Sequence, residues 1–408
     1  MKILIVTQYF WPENFKINDL AFELKNKGYK IDILTGIPNY PTGKIFDGYS
    51  QINIKDEVYN GINIYRTFIF LRGQNSRIRL FLNYLSFVIF GTYKILRLRK
   101  NYDAIFIYEP SPLTVAIPAI VKKKICKTPN VLWVTDLWPE SVTATIESSE
   151  ITKKLIYKLL NPLVGFIYKN VNKILVTSKA FISSIEKYSI KKNKIIFFPQ
   201  WAEEIFRPMI SKKNYLHNFD NNSFKIMFAG NLGEAQDFPA ILDTANQLKD
   251  NKFIKWIILG DGRKKNWIKN KIIDYGLEDS FHMLGSHPLK KMPEFYSEAD
   301  AMLLTLKKND IFSKTIPAKL QSYLACGKPI LGMIDGEASI IIKESQCGLV
   351  CESGDSKQLA LNISEISSKS PNELTQLGKN ALNYYNTNFE RKMLINKVEK
   401  ILINTINQ

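Results

Sequence analysis

The chain has 408 residues, 45% hydrophobic and 23% charged, with 56 Lys+Arg against 38 Asp+Glu for a formal net charge of +18. These values exclude a disordered, collagen-like or disulfide-scaffold chain, and the length suits two or three domains at ~150 residues each. Lysine supplies 47 of the positive charges and arginine nine, so the basic excess follows one residue type and is weak evidence for a nucleic-acid partner.

Met1-Lys2 runs into Ile3-Leu4-Ile5-Val6, too short for the apolar core of a signal peptide, so the chain is expected to stay inside the cell. A strand over Lys2 to Val6, a helical pattern over about 14–27 and a strand over Ile31 to Leu34 follow βαβ grammar. Apolar runs recur at Ala104 to Ile107, Val131 to Val134, Ile174 to Val176 and Ile195 to Phe198 with helix-compatible segments between. The first half therefore reads as a doubly wound parallel sheet, domain 1–205. From Pro199 to Ser223 the chain turns polar and turn-rich, and the linker is placed at 206–223. The grammar resumes at Ile226 to Ala229, Trp256 to Leu259, Ala301 to Leu304 and Pro329 to Leu331, which makes a second α/β domain over 224–385. The tail, 386–408, is helical and caps its own domain or crosses back to the first. Open parallel sheets bind ligands at the carboxyl ends of their strands, so two such domains facing a central cleft would line it with strand-end loops.

In the first domain those loops carry Trp11, Pro12, Glu13 and Asn14 after the first strand and Pro38, Asn39 and Tyr40 after the second. Aromatic, amide and proline groups there make walls for a sugar or lipid pyrophosphate, or simply tight turns. Trp133-Val-Thr-Asp136-Leu-Trp-Pro-Glu140 sets one carboxylate just past a strand and a second four residues on. Asp136 could accept a proton from an attacking hydroxyl, or cap the helix that follows.

In the second domain Gly230-Asn231-Leu-Gly233-Glu-Ala-Gln236 joins strand to helix, where amides can approach a phosphate. Arg263 and Lys264 follow the next strand and suit a pyrophosphate. Lys319, in Thr315-Ile-Pro-Ala-Lys, could also hold phosphate. Glu337, beside Ala338, could accept two ribose hydroxyls. Each of these charges could equally lie in solvent. There is no Asp-x-Asp, Walker or His-Glu-x-x-His motif, and of three histidines His282 and His287 flank an expected turn. Cys347 and Cys351 have no second pair at zinc spacing and read as buried thiols, and these two with Cys126 and Cys326 are few for so long a chain, which fits a reducing compartment. No metal site is expected.

Six of the nine arginines fall between Arg66 and Arg99, and no Asp or Glu occurs from Val58 to Tyr102. Leu80 to Leu98 inside this segment is apolar and aromatic, interrupted by Asn83, Ser86, Lys94 and Arg97. It is too polar to cross a bilayer, but Arg66 to Lys100 suits an anionic membrane surface. The rival reading is a core helix with a basic rim.

Five stretches in order, Gln8-Tyr-Phe-Trp-Pro-Glu-Asn, Gly36-Ile-Pro-Asn-Tyr-Pro-Thr-Gly, Trp133-Val-Thr-Asp-Leu-Trp-Pro-Glu-Ser, Gly230-Asn-Leu-Gly-Glu-Ala-Gln and Pro317-Ala-Lys-Leu-Gln-Ser-Tyr-Leu-Ala-Cys-Gly-Lys-Pro, resemble the bacterial family 4 glycosyltransferases of O-antigen and capsule assembly, N-acetyl-L-fucosamine transferases in particular. The resemblance implies a GT-B architecture of two Rossmann-like domains. It also implies retaining, metal-independent transfer from a UDP-sugar, of the N-acetylated amino sugar type, to an undecaprenyl-pyrophosphate-linked glycan, with the protein peripheral on the inner face of the cytoplasmic membrane. The acceptor would meet Trp11, Pro12, Glu13, Asn14, Pro38, Asn39 and Tyr40. The donor would meet Gly230, Asn231, Gly233, Gln236, Arg263, Lys264, Lys319, Glu337 and Ala338, and Asp136 and Glu140 would serve catalysis. The family's Glu-x7-Glu pair is absent, its places being taken by Lys314 and Ser322. A UDP-sugar 2-epimerase, which needs no lipid acceptor, and a membrane-associated scaffold without catalysis are the rival functions.

Overall fold

A computed structural model of the chain describes residues 1–73, 76–98, 100–145, 149–210, 215–216, 219–220 and 222–407. Arg99 of the basic segment and 211–214, 217, 218 and 221 of the expected linker lie outside them, as does the side chain of Arg77. The chain divides into two compact units, one of 1–199 with 392–408 and the other of 200–391. Residues 200–205, expected with the first domain, go with the second.

The first unit contains, in order, β1 (Lys2–Val6), α1 (Lys16–Asn26), β2 (Lys30–Gly36), β3 (Glu57–Tyr59), β4 (Ile62–Thr67), α2 (Arg77–Arg97), β5 (Ala104–Glu109), α3 (Ala116–Cys126), β6 (Asn130–Val134), α4 (Glu140–Thr145), α5 (Glu150–Asn170), β7 (Lys173–Val176), α6 (Ala180–Glu186) and β8 (Ile195–Phe197). Its sheet runs β3-β4-β2-β1-β5-β6-β7-β8. Every pairing is parallel except β3 with β4 at the edge. Ile3 to Val6 on β1 and Val131 to Val134 on β6 are wholly buried, as strands covered on both faces must be, and their unbroken apolar runs follow from that cover. The β3–β4 ribbon was not among the expected strands: its residues alternate between core and half-exposed positions and include Asn63 and Arg66, so no apolar run marks it.

The second unit contains β9 (Phe224–Ala229), α7 (Phe238–Gln247), β10 (Ile254–Leu259), α8 (Lys265–Tyr275), β11 (Phe281–Gly285), α9 (Met292–Ser297), β12 (Ala301–Thr305), α10 (Asp310–Ser313), α11 (Ala318–Ala325), β13 (Ile330–Met333), α12 (Gly336–Ser345), β14 (Gly348–Cys351), α13 (Ser356–Ser367) and α14 (Pro371–Asn388). Its sheet is all parallel in the order β11-β10-β9-β12-β13-β14. Alternate residues feed two cores: Phe224, Ile226 and Phe228 of β9 pack on one face, Met227 and Ala229 on the other. β11 and β14 were also unforeseen. His282, expected beside a turn, lies within β11, and its ring meets that of Phe219 at 4.6 Å between centroids. Cys347 and Cys351 are buried free thiols, as expected.

The helical tail breaks at Phe389–Glu390, and α15 (Arg391–Ile406) rejoins the first unit. There Glu399 accepts from Lys27 Nζ at 2.8 Å and from the Tyr29 hydroxyl, while Lys397 Nζ donates to the Phe197 carbonyl at 2.8 Å. Of the two routes open to the tail, it takes the crossing.

Candidate functional site

Both sheets reverse strand order once, at β1/β5 and at β9/β12, and such switch points leave a crevice at the carboxyl edge where ligands bind.

In the second unit β9 opens into Gly230 and β10 into Gly260. The Gly230 amide donates to the Leu259 carbonyl at 2.9 Å, and a Cβ on Gly260, where φ is +143°, would sit 1.8 Å from the Gly230 carbonyl oxygen. Only glycine permits two loops to approach so closely. Beside them opens a cavity of about 450 Å³ whose lining includes Gly230, Asn231, Gly260, Asp261, His287 and Lys319. Lys319 comes from the first turn of α11. Its Nζ lies 4.1 Å from the centroid of the Phe228 ring and donates to Gln236 Oε1. The Gln236 carbonyl in turn accepts from Thr305 Oγ1 at 2.6 Å. Burial strips hydration from the ammonium and pushes its pKa down to about 7. A phosphate in this cavity would restore the favourable field for the charged form.

The other expected donor residues sit elsewhere. Arg263 is exposed and does not line the cavity. Lys264 pairs with Glu234 at 2.8 Å, a carboxylate it shares with Lys307 at 2.9 Å, and lies 4.8 Å over the Trp267 ring. Gly233 packs against the Asn231 amide: a Cβ there would lie 2.7 Å from Asn231 Nδ2. Glu337 is half-buried in the first turn of α12, outside the lining. Ala338 is fully buried in the core, so its side chain is packing and not ligand contact. Ser322, standing where the family has an acid, does line the cavity one turn beyond Lys319. Gly260 and His287 were missed; the Gly-Asp-Gly after β10 was the available signal for the first.

At the carboxyl edge of the first sheet, Glu13 joins two loops. Its Oε1 accepts from the amides of Asn39 and Tyr40 at 2.8 and 2.7 Å, and its Oε2 from that of Phe10 at 3.3 Å. Loss of solvent outweighs the three amides, and the Glu13 pKa rises to about 7. Arg66 completes the frame. It donates through Nη1 to the Gly36 carbonyl at 3.1 Å, through Nη2 to that of Trp11, and through Nε to Glu57 Oε1 at 2.9 Å. Arg66 is therefore a buried strut, 2% exposed, and not part of a membrane-facing patch as expected. Glu13, Pro38 and Asn39 are likewise buried inside the loop frame. Trp11 and Pro12 remain half-buried, with Trp11 stacked on Tyr59 at 4.3 Å. Asn14 and Tyr40 are exposed, the latter 5.0 Å beneath the Arg72 guanidinium.

Next along this edge stand two carboxylates. Asp136, half-buried two residues past β6, accepts from Trp138 Nε1 at 3.2 Å, with the hydroxyls of Ser111 and Ser141 close to its carboxylate. Burial raises its pKa. Glu109, the last residue of β5, is fully buried, and its Oε2 accepts from the amides of Thr135 and Asp136 at 3.2 Å each. Burial first, and then the Asp136 charge, hold its pKa well above the carboxylate range. Glu109 was not foreseen: it reads in sequence as the polar end of a strand. Glu140 begins α4, half-buried.

On α2, Ser76 caps the first turn by accepting from the Arg79 amide, and basic Lys94 and Arg97 sit in the last. One side of the helix, with Phe87 and Ile95, is core. The other presents Ile78, Phe81, Leu85, Ile89, Tyr93 and Leu96 to solvent. Among the described residues no helix is long and apolar enough to cross a membrane, and no group of three His, Cys, Asp or Glu side chains could hold a metal ion.

Residues 211–384 match the family Glycosyl transferases group 1. The chain is 22% identical over 345 residues to the putative colanic acid biosynthesis glycosyl transferase WcaI of Escherichia coli K12, covering 80% of this chain and 82% of that one. Among solved structures it is similar to sucrose-phosphate synthase from Thermosynechococcus elongatus, with a TM-score of 0.75 at 14% identity over 99% of this chain and 98% of that one. Anabaena HepE in complex with UDP is similar with a TM-score of 0.68 at 14% identity, over 99% of this chain and 100% of that one. The two parallel-sheet α/β units are those of the GT-B glycosyltransferase fold.

Proposed function

We propose that this chain, with its GT-B fold and its group 1 glycosyltransferase match, moves a sugar from a UDP-sugar, of the N-acetylated amino sugar type, onto an undecaprenyl-pyrophosphate-linked glycan. The observation that carries the reading is the second unit's cavity, in which Gly230 and Gly260 leave room for a phosphate and Lys319 supplies an unneutralised ammonium. UDP in the HepE complex supports a nucleotide donor, and WcaI supports polysaccharide assembly as the setting.

As the bond from sugar C1 to phosphate breaks, negative charge grows on the leaving diphosphate and the sugar takes on oxocarbenium character. A fixed cation at the diphosphate then stabilises the transition state more than the ground state. Lys319 performs that role with no metal, and Asn231 and Gln236 orient it and the phosphates. In the first unit Asp136 orients the acceptor hydroxyl and takes its proton, with Trp11, Asn14 and Tyr40 as the exposed loop contacts. Configuration at C1 is retained. The apolar stripe of α2, flanked by Arg79 and Arg97, rests on anionic lipid at the inner face of the cytoplasmic membrane, where the acceptor resides.

The test is UDP release from a panel of UDP-N-acetyl sugars, with and without a synthetic undecaprenyl-pyrophosphate-sugar acceptor, in EDTA. Acceptor-dependent release that survives chelation is the expected result. Release without acceptor would favour an epimerase-like reaction on the donor, and no UDP binding at all would overturn the reading.

A further inference from the structure

Two acids packed in one hydrogen-bonded network, with no salt bridge to either among the described residues, cannot both be charged without large cost. Glu109 and Asp136 are in that position. Their surroundings separate them. Glu109 is sealed at the end of β5. Its Oε2 takes the amides of Thr135 and Asp136, with the Ser111 amide also reaching the carboxylate, while Oε1 is buried and has no hydrogen-bond partner. An ionised oxygen left bare in that setting costs far more than a neutral one. Asp136 is partly open to solvent and its carboxylate accepts from Trp138 Nε1 at 3.2 Å, with the Ser111 and Ser141 hydroxyls beside it. Among the described residues the groups facing the pair are Tyr108 on β5, Tyr84 on α2, Tyr168 on α5 and Glu140 on α4, and the nearest cation is Arg72, beyond Tyr84. Ser111, whose hydroxyl accepts from Trp138 Nε1 at 3.3 Å beside the pair, holds φ at +107°, a conformation that a non-glycine residue adopts only when its neighbours impose it.

We propose that Glu109 is the proton-holding partner of Asp136: it stays a neutral acid inside the sheet and anchors the Asp136 backbone, so that Asp136 alone carries the negative charge of the pair. The inference rests on the transferase reading for its use. During transfer the acceptor O–H bond breaks and its proton goes to an Asp136 carboxylate oxygen. The acceptor oxygen's electron pair forms the bond to sugar C1 on the face from which the diphosphate departs, so that configuration is retained, and the pair of the broken C1–O bond leaves with UDP. Water then takes the proton from Asp136. Glu109 exchanges no proton in the cycle; it is a positioning residue that keeps Asp136 the only base.

Infrared spectroscopy of the full chain with and without a ¹³C-glutamate label, at about pH 8.5 where Glu13 is ionised, reads the proton directly. A protonated carboxyl stretch that shifts with the label and disappears in Glu109→Gln is expected. In kinetics Glu109→Gln, a neutral isostere, should keep kcat within about threefold and leave the acidic limb of the pH profile in place. Glu109→Ala, which frees the Asp136 amide, should lower kcat roughly 10- to 100-fold, and Asp136→Asn ~100-fold or more. A wild type lacking the labelled band overturns the proposal even if no variant folds. So does a folded Glu109→Gln as inactive as the alanine variant. A wild type that shows the band but transfers no sugar with any donor overturns the transferase reading instead.

Discussion

The two strand-end crevices solve opposite problems. In the second unit the chain removes side chains, placing Gly230 and Gly260 back to back, and leaves one poorly hydrated ammonium, that of Lys319, beside open space. In the first unit the chain crowds side chains in: Glu13 and Glu109 are buried and spent on backbone amides, and buried Arg66 on two backbone carbonyls and Glu57. An anion can enter the first of these arrangements and be welcomed, whereas the second presents Asp136 with aromatic neighbours. Such a division is what a reaction needs when one partner brings a diphosphate and the other a neutral hydroxyl.

The strongest way to break the comparison is Gly260→Ala. Its Cβ would lie 1.8 Å from the Gly230 carbonyl, so the two loops must part. UDP binding measured by calorimetry should be lost, and the second unit destabilised by ~3 kcal/mol or more in thermal unfolding. Unchanged UDP affinity would deny the glycine contact its role.

Nearly as large is Arg66→Ala, which strips Glu57 and two loop carbonyls of their shared donor. A loss of ~3 kcal/mol in urea unfolding is expected, as for breaking a buried ion pair. Donor affinity should stay the same, since the residue serves the first unit.

The pH responses of the two units should have opposite signs. Glu13 has a folded pKa of about 7, above its ordinary 4.5. The native state therefore holds the proton more tightly, and its contribution to stability is present below pH 4.5 and lost as pH rises to about 7, at up to ~1.4 kcal/mol per pH unit. Lys319 is depressed to about 7 from 10.5. Its burial penalty is full below pH 7 and is relieved as pH rises toward 10.5. If UDP binds the charged lysine as proposed, affinity should fall by up to about tenfold per unit above pH 7 until the proton is held by the complex alone. Calorimetry across pH checks this. Glu13→Gln should flatten the stability slope, and Lys319→Met the affinity slope.

The smallest effect sharpens the contrast at the surface. Phe81→Ser with Ile89→Ser on α2 should weaken co-sedimentation with phosphatidylglycerol vesicles by about tenfold, following the apolar area removed. UDP affinity should be untouched, and equal vesicle binding would remove α2 from the membrane contact.

Much of this was legible in sequence. The uninterrupted apolar runs at Ile3 to Val6 and Val131 to Val134 read as strands of a parallel sheet, and the loops after them hold Trp11 and Asp136. Lys319 and Gly230 were found from their place at element junctions. Glu109 was not, because its burial comes from strands and helices packed over it and not from its neighbours in sequence. Ala338 was misassigned since a residue beside a ligand loop and a residue under it look alike in one dimension. Arg66 sat in a basic stretch and was read as surface, yet its partners Gly36 and Trp11 lie 30 and 55 residues away.

The sequence by itself determined the alternation of strand and helix, the two-unit organisation and the strand-end positions of the polar loops, because hydrophobic periodicity and turn chemistry act over a few residues. Only the tertiary structure decided which of the charges are struts and which are free to act. Desolvation and hydrogen bonding set that choice, and both depend on groups brought from distant parts of the chain. A Glu13 whose partners are the amides of Asn39 and Tyr40, and a Lys319 whose partner is Gln236, exist as such only once the loops have closed.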